Sequence, residues 1–167
     1  MTRRQGAHGG RVEVTVNAPI EWVWRIIADV TRTGEWSHEC RHVEWLGGAT
    51  APAPGVRFRG RNHSGWIRWS RACEVLAVDP QRRIAWRTIS TALYVDSTDW
   101  EITLEPVAGA TRIVQSYQLT KCPQWWEQVA LRLVPAHIDR TVALEGDLRR
   151  LGALAAADAR SADRLAS

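Results

Sequence analysis

The sequence predicts an α+β fold: a curved antiparallel sheet of about seven strands covered by one long C-terminal helix, with two short helices after the first strand. Two observations carry this. The hydrophobic period changes in a fixed order, from alternation over residues 12–16 to a helical period over 19–30, then about six strand-like segments, then a helical period again near the C-terminus. A lone antiparallel sheet must also bury one face, and the last helix is the only long one available to cover it. A sheet and one helix do not easily fill the space between them. A cavity is therefore expected, and the functional question centres on it.

Composition narrows the class. At 167 residues the chain is expected to hold one domain over residues 11–156, with a disordered leader at 1–10 and a flexible tail at 157–167. No apolar run approaches the roughly 20 residues that cross a bilayer, and the polar opening lacks a signal peptide's apolar core. The expectation is a cytoplasmic protein without stable membrane insertion. Cys40, Cys73 and Cys122 are odd in number and widely spaced, so they read as free thiols. The formal charge is +4, but the arginines are scattered along strands and form no run. Nucleic acid is not expected as a partner.

The elements follow in order. Asn17 is placed to cap a helix that Pro19 opens, and Trp22, Ile26 and Val30 recur at fourfold spacing. Residues 31–37 form a second short helix before the chain extends to Leu46, and the glycines and prolines of 47–55 break the pattern. In 56–62, Val56, Phe58, Gly60 and Asn62 share one face, opposite Arg57, Arg59 and Arg61 on the solvent face. His63-Ser64-Gly65 turns the chain into a long strand on which Ile67, Trp69, Arg71, Cys73 and Val75 keep one parity. After a turn at 79–81, Ile84 and Trp86 lie together. Asp96, Thr98, Trp100, Ile102 and Leu104 then share a face, as do Ile113, Gln115, Tyr117 and Leu119. Pro135 interrupts the following helical pattern, so the last helix is expected from about Ala136 to Ala156, with a buried stripe of His137, Thr141, Leu144, Leu148 and Leu151. The stripe is polar at its start and apolar beyond.

With that order established, the chain resembles the START-like SRPBCC superfamily and, within it, the polyketide cyclase/dehydrase-like branch. The resemblance covers about residues 11–156. It rests on Val14-Thr15-Val16-Asn17-Ala18-Pro19 with Trp22 and Trp24, the link from Asp29 to Trp36, and Gly55-Val56-Arg57-Phe58. Val75 to Pro80 running into Arg83-Ile84-Ala85-Trp86, Trp100 to Glu105, and Gly109 to Val114 complete it. These are scaffold motifs. They imply a helix-grip (START/Bet v 1-like) fold with a deep cavity for an apolar or aromatic ligand, and they set no reaction. The insertion at 125–134 departs from the simplest members and is a candidate lid, together with the loop at 47–55.

Ten tryptophans stand against one phenylalanine and one methionine, and an indole brings area together with a polar N–H suited to flat, partly polar ligands. Trp36, Phe58, Trp69, Trp86, Trp100 and Tyr117 are the candidate aromatic lining, with plain core packing as the alternative for each. Arg71 and Asp96 share inward parities and either pair with each other or meet a ligand, unless a one-residue bulge turns both to solvent. Gln115, Thr141 and His137 complete the candidate ligand set. Tyr117 and His137 are the candidate acid–base residues should the protein be an enzyme. His38, His42 and His63 share no metal-ligand spacing, and neither metal nor cofactor is expected.

The leading reading is a protein that binds a hydrophobic or aromatic small molecule, lipid or polyketide-like, as a monomer or homodimer. The alternative is a polyketide cyclase/dehydratase-type lyase using the same cavity. A third reading takes Arg57, Arg59, Arg61 and Arg87 as a partner surface for nucleic acid or an acidic protein. The residues between these arginines point to the other face, which counts against it.

Overall fold

The computed structural model describes residues 9–93, 95–121 and 140–166. Strand β1 (Gly9–Val16) leads into helix α1 (Ile20–Ala28), a single 3-10 turn (Val30–Arg32) and the short α2 (Thr33–Trp36). Strands β2 (Cys40–Trp45), β3 (Arg57–Ser64), β4 (Ile67–Asp79), β5 (Arg83–Thr88), β6 (Ser97–Val107) and β7 (Ala110–Lys121) follow, and the long helix α3 (Arg140–Ala166) comes last. The strands form one seven-stranded sheet ordered β1-β7-β6-β5-β4-β3-β2. All neighbours are antiparallel. This is the expected α+β architecture.

Local chemistry explains the element ends. Pro19, not Asn17, occupies the N-cap of α1, with extended backbone and no side-chain cap, and its carbonyl accepts from the N–H groups of Trp22 and Val23. The proline ring fixes the entry angle without a capping side chain, so the expected Asn17 cap is not formed. The 3-10 turn is capped instead by Asp29, whose carboxylate accepts from the Thr31 N–H at 3.1 Å. A β-carbon on Gly34 would fall 2.5 Å from the Arg41 carbonyl oxygen, so only glycine lets α2 lie against β2. The β3–β4 hairpin turns on Gly65-Trp66, with Gly65 at a φ of +59°. That is one residue later than the expected turn, because glycine is best suited to the positive φ at the first central position.

The core lies between the concave sheet face and the helices. Ile26 of α1, Ile84, Ile102 and Ile113 of the sheet, and Leu148 and Leu151 of α3 are fully buried, each burial contributing roughly 1.5–3 kcal/mol. A second patch joins Val30, Val43, Phe58, Cys73 and Val75 beneath the 3-10 turn. The loop at 47–55 joins the ends of β2 and β3 beside this patch, with the Gly55 N–H donating to the Val75 carbonyl. The expected stripe on α3 holds for Leu144, Leu148 and Leu151, while His137 falls outside the described residues. The helix does not stop near Ala156 but continues to Ala166, where the expected tail begins at 157, and Arg32 bridges to Asp158 at 2.7 Å. Gly9 and Gly10 belong to β1 rather than to a leader.

Gly152 sits where α3 crosses β1. A β-carbon there would overlap the side chain of Val16. Gly152→Val is therefore expected to lower the free energy of unfolding by about 1–3 kcal/mol through overpacking, measured by urea denaturation; unchanged stability would show that the crossing has slack.

Candidate functional site

Register builds an aromatic ladder on the concave face. Trp86 of β5 lies opposite Trp100 of β6, which lies opposite Tyr117 of β7. Trp86 and Trp100 stack nearly parallel, 6.3 Å apart with 6° between planes, and Trp100 meets Tyr117 at 5.1 Å and 33°. On the next strand Gly10 lies under Tyr117, where a β-carbon would fall 2.7 Å from the ring. All three aromatic residues are half-buried. Arg140, the first residue of α3, holds its guanidinium 5.7 Å from the ring centres of both Trp100 and Tyr117, within cation–π range. The ladder thus faces the start of the closing helix.

The remaining candidates lie around this frame. Arg71 and Asp96 pair at 2.8 Å, and Arg71 also donates to the Asp96 carbonyl at 2.9 Å, with 13% and 18% of their side chains exposed. They turn inward and meet each other. Trp36 is buried in the core beside α3, and its carbonyl accepts from Arg150 Nε at 2.9 Å. Phe58 belongs to the second core patch, edge-on to Trp45 at 6.0 Å, and Trp86 at the end of the ladder packs against that patch. Trp69 and Thr141 are half-buried. Gln115 is 4% exposed on the concave face. His137 and the 125–134 segment lie outside the described residues, as does Cys122. Burial raises the thiol of Cys40 to about 11 and that of Cys73 to about 12, so neither is a ready nucleophile.

Sequence reasoning missed a buried polar cluster at the same end. Asp147 is 2% exposed on α3, and its carboxylate accepts from the His38 N–H at 2.8 Å, meets His38 Nδ1 at 2.7 Å and pairs with Arg150. The hydrogen bond from Asp147 holds the His38 imidazole above its ordinary pKa. Glu39 Oε2 lies 3.8 Å from His38 Nε2, and burial raises the Glu39 carboxyl above the usual range. The available signal was Asp147's position three residues after Leu144 and four before Leu151, which puts a carboxylate on the apolar stripe. Buried carboxylates need partners, and such a residue points to one.

His38 Nε2, Trp36 Nε1 and Gln115 Oε1 are among the buried side-chain atoms without a hydrogen-bond partner. No group of three or more metal-ligating side chains occurs among the described residues, and no described helix is long and apolar enough to cross a membrane. The outer sheet face is different in kind: several of its arginines lie against carboxylates on neighbouring strands. Arg57 pairs with Glu74 at 2.9 Å, Arg61 with Glu44 at 3.3 Å, Arg87 with Asp99 at 2.5 Å and Arg112 with Glu13 at 2.7 Å.

A curved antiparallel sheet closed by a long C-terminal helix, with two short helices after the first strand, defines a helix-grip protein. The chain belongs to the polyketide cyclase/dehydrase and lipid transport family, whose model matches residues 8–156. Its fold is that of protein CV1439 from Chromobacterium violaceum (TM-score 0.66, 15% identity, 90% of this chain and 98% of that one). TTHA0849 from Thermus thermophilus (0.65, 17%, 90% and 98%) and Ara h 8.0201 (0.60, 13%, 90% and 98%) share it. No curated protein matches the sequence.

The His38–Asp147 pair carries a pH signature. Because the folded-state pKa of His38 is raised, its contribution is complete below the unfolded value of about 6.5 and is lost as pH rises through the folded one. Asp147→Asn is therefore expected to destabilise the protein by about 1–3 kcal/mol at pH 6 and by less at pH 9, read by urea denaturation at both. An equal loss at the two pH values would mean that the imidazole's charge plays no part.

Proposed function

We propose that the protein binds a hydrophobic or aromatic small molecule, lipid or polyketide-like, between the concave sheet face and α3. The observation that carries this reading is the ladder of Trp86, Trp100 and Tyr117, half-buried on the inner face and opposed by Arg140. A sheet interior needs no coplanar indoles to be stable, and aliphatic side chains fill the same face further along at Ile84, Ile102 and Ile113. Flat aromatic walls with a few convergent polar atoms are what ligand pockets offer. Family membership supports the same class, and in this reading the protein acts in the cytoplasm as a monomer or homodimer.

Cyclase or dehydratase chemistry adds a proton-transfer requirement. The candidates for it are Tyr117, whose ring centre lies 5.7 Å from the Arg140 guanidinium, and His137, which lies outside the described residues.

Native mass spectrometry of protein purified from its own host is expected to retain an apolar or aromatic metabolite. Trp100→Ala is expected to weaken that ligand's affinity about tenfold, the equivalent of ~1.4 kcal/mol, in a fluorescence titration of the remaining tryptophans. Unchanged affinity in the variant would remove the ladder from the site.

A further inference from the structure

Beside the aromatic ladder, one polar group stands ready for a partner that the described residues do not supply. His38 commits Nδ1 to Asp147 at 2.7 Å, and its Nε2 is buried with no hydrogen-bond partner. The nearest carboxylate oxygen, Glu39 Oε2, is 3.8 Å away, beyond hydrogen-bond range. The two residues are held independently. Asp147 grips both the backbone N–H and the ring of His38, and the Glu39 carbonyl accepts from the His63 N–H at 2.9 Å. Both side chains keep about a quarter of their surface open, 25% for His38 and 23% for Glu39. Arg140, which lies over Trp100 and Tyr117, also acts electrostatically on Glu39, which links the polar pair to the ladder.

We propose that the gap between His38 Nε2 and Glu39 is a binding site for the hydroxyl group, phenolic or enolic, of an aromatic ligand whose ring lies toward Trp100. This rests on the aromatic-ligand reading above and specifies its polar end. A hydroxyl is the smallest group that donates and accepts at once. Its oxygen, about 2.8 Å from each atom, spans the gap, and because a hydroxyl both donates and accepts it satisfies His38 Nε2 and the Glu39 carboxyl whichever of them carries the proton. A ligand carboxylate meets the negative charge of Glu39 at the same place, and a ligand ammonium meets His38 and Arg140. A hydrocarbon leaves both protein groups unpaired, which is the strongest basis a site has for rejecting an analogue.

The test uses the whole 167-residue chain and two isosteric probes, 2-naphthol and 2-methylnaphthalene, in equilibrium dialysis, with the His38 imidazole resonances followed by NMR. The hydroxyl probe is expected to bind at least about tenfold tighter, and to shift the His38 resonances where the methyl probe does not. His38→Phe is expected to bring the ratio close to one, and Glu39→Met to lower it severalfold. Should His38→Phe fail to fold, the wild-type affinity ratio and resonance shifts decide the matter alone. Equal wild-type affinities with unmoved His38 resonances overturn the hydroxyl site and leave the aromatic reading standing. Failure of both probes to bind overturns that reading and the site with it.

Discussion

The arrangement of the molecule depends on one buried carboxylate. Asp147 leaves almost no surface to solvent, and an ionised carboxylate so placed is tolerable only when its oxygens are fully engaged. Its partners are the backbone and ring of His38 and the guanidinium of Arg150, which itself reaches the Trp36 carbonyl. Those bonds tie α3 to the junction of α2 and β2 across a long stretch of sequence. On the C-terminal side of that tie, the helix lies directly on β1 through Gly152 and buries Leu148, Leu151 and Ala155. On the N-terminal side, Arg140 reaches the aromatic ladder only at cation–π distance. One helix thus closes the core with one half and borders the candidate site with the other.

The two faces of the sheet solve different problems. On the outer face Arg57 faces Glu74, Arg87 faces Asp99, and Arg112 bridges Glu13 and Glu105, so that cross-strand neighbours carry opposite charge. Each exposed pair contributes little to stability, but together they hold the arginines close to carboxylates. The chain's positive net charge does not translate into a continuous basic surface there. The inner face instead grades from aliphatic to aromatic along the strands, and the polar cluster of His38, Glu39 and Asp147 sits where the aromatic end meets α2, β2 and α3.

Much of this was legible in the sequence. Period alone separated strands from helices, and alternation assigned Phe58, Trp86, Trp100, Gln115 and Tyr117 to the inner face, because a strand's side chains change sides with every residue. The inward parity of Arg71 and Asp96 led to their pairing, despite a register shift between Ser97 and Thr98 that follows Asp96. Parity does not show which inward residues meet across the grip. Phe58 is inward yet serves the second core patch, since β3 lies far along the sheet from β6 and β7. The His38–Asp147 contact was invisible to local reasoning because it joins residues 109 positions apart and depends on the angle at which α3 crosses the sheet. The extent of α3 was misjudged for a related reason: an Ala-, Asp- and Arg-rich segment is a weak signal alone, and here Arg32 of the 3-10 turn bridges to Asp158.

The buried polar atoms give the strongest physical indication of what the interior is for. Leaving a buried donor or acceptor unpaired costs about 1–3 kcal/mol, and native proteins hold few such groups. Trp36 Nε1, His38 Nε2 and Gln115 Oε1 lie on α2, on the link that follows it, and on the inner face of β7. These are elements that bound the space in front of α3. At Trp36 a phenylalanine would remove that cost among the aliphatic and aromatic neighbours of the core, whereas an apolar residue at position 38 would take from Asp147 one of its partners. In the proposed binding role these atoms supply directional polar contacts to a molecule held between the sheet and the helix.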